Sequence, residues 1–177
     1  MRAPAVLVLV MIVACGGAGS VQLDPAMPDD VEMLAADVVA LVRQTLPART
    51  ACLEGLRIES DRDLTDRARY LPDDGTVVVR VPATAPRLTA SLVHEIGHHL
   101  DAVCVDVETR AAFAAAQGTD PEAEWGSAGA GEDTLAELFA AAVVEVVTGD
   151  PDLPRQVGVT DAAVELVAGW GHGSSTP

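Results

Sequence analysis

Three of the chain's four histidines fall within six residues, in the run Val93-His94-Glu95-Ile96-Gly97-His98-His99. His94 and His98 stand four apart, about 400° of helical rotation, so on an α-helix they project from nearly one face. Two neutral imidazoles on one face are a ready pair of zinc ligands. Glu95 sits where it can reach a metal-activated water without being a ligand. This H-E-x-x-H spacing assigns the metal to the histidines and the role of general base to Glu95. His99 is turned about 100° from His98 and should point away from the metal.

A catalytic zinc normally takes three protein ligands and leaves one position open. The candidates for the third lie on a second predicted helix running from Glu132 to Ala140. Asp133 and Glu137 are four apart and share a face, with Leu135, Leu138, Phe139 and Ala142 on the packing side. One carboxylate would bind the metal while the other orients a ligand histidine through its free ring N–H. Asp101 is a further candidate for that orienting role. The same acids also suit a solvated helix start favoured by the macrodipole.

The elements that must position these groups are legible in outline. Thr84 and Pro86 suit a helix N-cap and first turn, and Leu88, Leu92, Ile96 and Leu100 recur every fourth residue, with Val93 widening the stripe. Gly97 inside that helix costs about 1 kcal/mol relative to Ala, which calls for a close neighbour such as another backbone or a bound substrate. Two β-like runs precede it: residues 56–59, and residues 76–81 following the Asp74-Gly75 turn signal. Amphipathic helices are predicted over residues 31–46, 107–117 and 161–168, the last capped by Thr160. The Gly- and Ser-rich stretch 119–131 holds Trp125, either at the rim of a cleft or as the anchor of a surface loop. This pattern is α+β: mostly helical, with a small sheet preceding the histidine helix.

In these motifs the chain resembles the gluzincin branch of the zincin metallopeptidases. The sequence His94-Glu95-Ile96-Gly97-His98 with Asp101, and the downstream Asp133, Ala136, Glu137, Phe139 and Ala140, look like the local patterns of lethal-factor-type and related minimal metallopeptidases. The resemblance spans about residues 56–147 and implies a zincin-like domain with one Zn²⁺ and a peptide or protein substrate. It places Asp133 as third ligand and Glu137 as its support. The family's ligand is usually Glu, and Asp is one methylene shorter, so Glu137 and Glu132 stand as alternatives. It also implies that a strand beside the active helix, here residues 77–81, pairs with the substrate backbone, although a central core strand would read the same way. No oxyanion-stabilising group is placed by sequence; Tyr70 and His172 are the candidates.

The N-terminus bears on compartment. Arg2 precedes an apolar run from Ala5 to Ala14, too short for a bilayer, which needs about 20 residues. It reads as a signal peptide over residues 1–14. Ile12-Val13-Ala14-Cys15 resembles a bacterial lipoprotein box, which implies a lipid on Cys15 and a membrane anchor in the cell envelope; an ordinary secretory signal is the alternative. Residues 15–30 then form a flexible tether, 31–170 a single domain and 171–177 a frayed tail. With Cys15 lipidated, Cys52 and Cys104 remain to form one disulfide in an oxidising compartment. The net charge of −16 repels nucleic acid and anionic headgroups, so membrane contact would be through lipid. The reading is an extracytoplasmic zinc metallopeptidase; the alternative is a catalytically inactive zinc-binding envelope lipoprotein that acts as an interaction module.

Overall fold

The computed structural model describes residues 20–126, 134–149 and 158–174. Its elements run β1 (Gln22–Leu23), α1 (Asp29–Thr45), a 3-10 helix (Pro47–Leu53), β2 (Arg57–Asp61), β3 (Ala68–Leu71), β4 (Thr76–Arg80), α2 (Ala85–Cys104), α3 (Val107–Ala116), α4 (Leu135–Thr148) and α5 (Asp161–Gly171). The architecture is α+β, with one four-stranded sheet in the order β1-β2-β4-β3.

The helices form where apolar spacing and end signals agree. α1 opens with Asp29, Asp30 and Glu32 in its first turn and carries Arg43 in its last, complementing the helix dipole at both ends. Its buried stripe is Val31, Ala35, Val38, Val39 and Val42. α2 starts after Thr84 with Pro86 in the first turn and buries Leu88, Leu92, Val93, Ile96 and Leu100. α4 is capped by the Thr134 side chain and ends at Gly149, whose positive φ of 55° closes the C-terminus without Cβ strain. Around these stripes one continuous core joins helices and sheet, with Phe113, Phe139, Leu92 and Ile96 among its fully buried members.

Three expectations change. The stretch expected as tether enters the domain: Gln22 and Leu23 pair in parallel with Arg57 and Ile58, and Met27 is buried in the core. Two residues are too few for an alternating pattern, which is why no periodicity marked them. The strand expected beside the active helix as a substrate edge, β4, is instead central, pairing with β2 on one side and β3 on the other. The edges are β1 and β3; β3, a strand outside the sequence reading, forms a hairpin with β4 across the Asp74-Gly75 turn. Finally, α5 runs past its expected end at Ala168, through Gly171. Trp170 is buried there, its carbonyl accepts from Arg49 Nε at 2.9 Å, and the Arg49 guanidinium stacks 4.4 Å from its ring centroid.

The Cys52–Cys104 disulfide is present, with 6.0 Å between the Cα atoms. It ties the 3-10 helix to the last residue of α2. No helix among the described residues is long and apolar enough to cross a membrane.

Candidate metal centre

The site is built where α2 and α4 cross at Gly97. A Cβ on Gly97 would lie 2.8 Å from Ala140 Cα and 3.1 Å from Ala140 Cβ. Only glycine permits backbones this close, which accounts for the helix-interior Gly. His94 lies three residues before Gly97, and Glu137 three residues before Ala140. On a helix a three-residue step returns to the same face, so the crossing points both side chains into one space.

The geometry follows from that approach. His94 Nε2 is 3.0 Å from Glu137 Oε2, and His98 Nε2 is 3.3 Å from Glu137 Oε1. Among the described residues these three form a group whose ligand atoms all lie within 4.8 Å of one another. The surroundings are dry: side-chain exposure is 14% for His94, 4% for His98 and 12% for Glu137. The two rings meet edge to face, with centroids 4.8 Å apart. Such a cluster of two imidazoles and one carboxylate is a donor set suited to a divalent metal.

Thr134 helps to place Glu137. Its hydroxyl accepts from the Glu137 backbone N–H, a capping arrangement with the acid at the third helical position. The Thr134-x-x-Glu137 spacing is the sequence signal that separates Glu137 from its acidic neighbours. Asp133, expected as third ligand, and Glu132 lie outside the described residues, as does Cys15.

Asp101 corrects another expectation. Its carboxylate accepts from Arg110 at 2.9 Å and from the indole N–H of Trp125 at 2.8 Å, so it braces a loop and does not orient a ligand histidine. The Nδ1 atoms of His94 and His98 are buried without a partner among the described residues. Trp125 is the loop anchor, its ring edge to face with Phe113 and tilted against Phe139, and its carbonyl accepts the Ala136 N–H in the first turn of α4.

Glu95 is partly buried next to the cluster. Burial raises its pKa above the ordinary carboxylate value; the neighbouring His94 and His98 and a backbone hydrogen bond from Tyr70 pull it down, and Glu137 pushes it up again. The Tyr70 hydroxyl is engaged elsewhere. It donates to His99 Nδ1 at 3.2 Å, while His99 Nε2 donates to the Cys52 carbonyl at 3.0 Å. Burial lowers the His99 pKa, which keeps the ring neutral and able to accept at Nδ1. His99 thus faces away from the metal cluster, as its rotation implied. His172 caps α5, its backbone N–H bonded to Ala168 and Gly169 carbonyls.

Comparison with protein-family models, with curated proteins and with solved structures gave no match.

Proposed function

We propose that this chain is an extracytoplasmic zinc-dependent peptidase in which His94, His98 and Glu137 hold the ion and Glu95 moves the proton. The observation that carries the reading is the convergence of those three side chains across the α2–α4 crossing. Tetrahedral zinc with bonds of about 2.0–2.1 Å needs ligand atoms about 3.3 Å apart. The histidine nitrogens stand 3.0 and 3.3 Å from the two Glu137 oxygens, and one ligand atom from each residue lies within 4.8 Å of the others, near enough to converge on one ion. A zinc ion held there would supply Lewis-acid polarisation and an acidified water.

The chain's own residues supply the rest. Glu95 stands one residue from His94, outside the ligand set, with its pKa raised by burial. A carboxylate placed there can take a proton from the attacking water and return it to the leaving amine. An extended peptide has a place to lie: β3 is an open edge next to α2. The disulfide agrees with work outside the cytoplasm, and Cys15 would carry the lipid anchor.

The test is zinc per chain by elemental analysis, with hydrolysis of a mixed peptide pool alongside. One zinc per protein is expected. Glu95→Gln should keep the metal and lose about 10²–10⁴-fold in rate, whereas His98→Ala should lose both. Zinc retained in Glu137→Ala but lost in Asp133→Ala would move the third ligand to Asp133. Hydrolysis by Glu95→Gln at the parent rate would sink the mechanism.

One observation favours a second reading, a zinc-binding envelope protein without catalysis. The Tyr70 phenol, a candidate for steadying an oxyanion, is committed to His99. One zinc per chain with no cleavage of any peptide would select that alternative.

A further inference from the structure

The contact at Gly97 fixes how near α4 comes to α2, but a helix held at one point can still pivot about it. Glu137 lies about one turn from that point, towards the N-terminus of α4. The outer turn is gripped by the segment Trp125-Gly126. The Trp125 carbonyl accepts the Ala136 N–H at 3.0 Å, one of the first-turn donors that a helix cannot satisfy internally. Gly126, at a φ of 81°, lies against the cap residue: a Cβ there would stand 2.8 Å from Thr134 Cβ. Thr134 in turn accepts from the Glu137 N–H. The segment therefore bears on Thr134 and Ala136, the two residues that set where the Glu137 turn begins.

That segment is held from α2. His94, His98 and Asp101 follow one another by four and three residues, so they form one stripe on the helix. One oxygen of the buried Asp101 carboxylate accepts from the Trp125 indole N–H at 2.8 Å, and the other from Arg110 at 2.9 Å. Bonds to an ionised acceptor of this kind are roughly twice as strong as neutral ones.

We infer that Asp101 and Trp125 are positioning residues for Glu137: they form a clamp that ties the first turn of α4 to the helix carrying His94 and His98. The inference rests on the reading of His94, His98 and Glu137 as a metal centre, and does not depend on hydrolysis. A loop anchor needs only its ring, which here packs on Phe113 and Phe139. Trp125 does more: its N–H reaches the helix of the two histidines, and its carbonyl the helix of the third ligand.

The experiment compares the purified parent protein with Trp125→Phe, which keeps an aromatic ring and removes the indole N–H. In the metal-free chain, amide exchange followed by NMR should be about tenfold faster at Ala136, the loss expected of one hydrogen bond. The Leu100 amide of α2 and the Tyr70 amide of β3 should keep their rates. Zinc affinity, read by competition with a chelator, should fall about tenfold, as when a ligand loses its support. In a Glu137→Ala background, where His94 and His98 still offer two ligands, Trp125→Phe should change the residual affinity by less than about twofold. An unchanged Ala136 rate, or an equal loss of affinity with and without Glu137, would overturn the inference. If Trp125→Phe fails to fold, Asp101→Asn, which keeps the size and one acceptor oxygen, decides by the same readouts. A parent that binds zinc and cleaves no peptide would remove the peptidase reading while leaving the clamp to stand on these results. A parent that binds no zinc would remove both.

Discussion

The two working faces of α2 are held by different means. Towards α4 the constraint is excluded volume: Gly97 and Ala140 let the backbones touch, and the His94–Glu137 distance follows from how near the helices come. Towards β3 the constraint is directional, a chain from the Cys52 carbonyl through His99 to the Tyr70 hydroxyl, anchored by a covalent bridge. Packing sets separations and tolerates little added volume. Hydrogen bonds set orientations and fail one partner at a time. On the proposed reading, the metal ligands need the first kind of control and the proton-moving carboxylate the second.

The largest way to break this division is to remove the bridge. Cys52 and Cys104 enclose a sequence separation of 52 residues, and in the chain-entropy account such a link contributes about 4 kcal/mol. Cys52→Ser with Cys104→Ser should lower unfolding stability by about that amount in a denaturant titration. Zinc per folded chain should stay near one, because the Gly97–Ala140 contact does not pass through the bridge. Zinc lost in step with the disulfide would mean that the two faces are one unit.

Next in size is the opposite manipulation. In Gly97→Val the new Cβ would stand 2.8 Å from Ala140 Cα, a backbone atom that no rotamer change can move aside. Overpacking of this kind costs about 1–3 kcal/mol, set against a gain of under about 1 kcal/mol in helix propensity. A net loss of about 2 kcal/mol is expected, with zinc affinity falling at least tenfold as α4 moves off. The Tyr70 amide should keep its exchange rate. A variant that keeps parent zinc affinity would show that the crossing does not set the ligand distance.

The face towards α4 was the more legible of the two. His94, Glu95 and His98 announce themselves by type and spacing, and Gly97 announced a close neighbour by being costly where it stands. The choice among Asp133, Glu137 and Glu132 was not legible from carboxylate spacing, since Asp133 and Glu137 are four apart and either could be ligand or support. The structure brings Glu137 to His94 and His98, just inside the Thr134 cap, while Asp133 and Glu132 lie outside the described residues. The face towards β3 left almost no trace. A four-residue edge strand with one buried side chain, and a two-residue β1, give too short a pattern to separate from loop. The His99–Tyr70 pair joins residues 29 apart in sequence and His99–Cys52 residues 47 apart, and no local pattern encodes such contacts.

The smallest effect supplies the reference for both faces. Asp106 caps α3, accepting from Thr109 N–H at 2.7 Å, on a surface that touches neither working face. Asp106→Ala should cost about 1 kcal/mol, the usual worth of such a cap. Bonding to Thr109, through its side chain and its backbone, lowers the Asp106 pKa below its ordinary 3.8. The sign follows from linkage: the unfolded chain holds the proton more tightly, so the ionic part of the cap's contribution is fully present above about pH 5. It shrinks as pH falls below 3.8 and through the folded value. The parent-minus-variant difference in unfolding stability should therefore be flat from pH 5 to 7 and narrow towards pH 3. Zinc affinity and the residue-70 amide should both match the parent at neutral pH. If Asp106→Ala weakened zinc binding as much per kcal/mol as Gly97→Val does, general stability would govern the site, and the separate control of its two faces would fall.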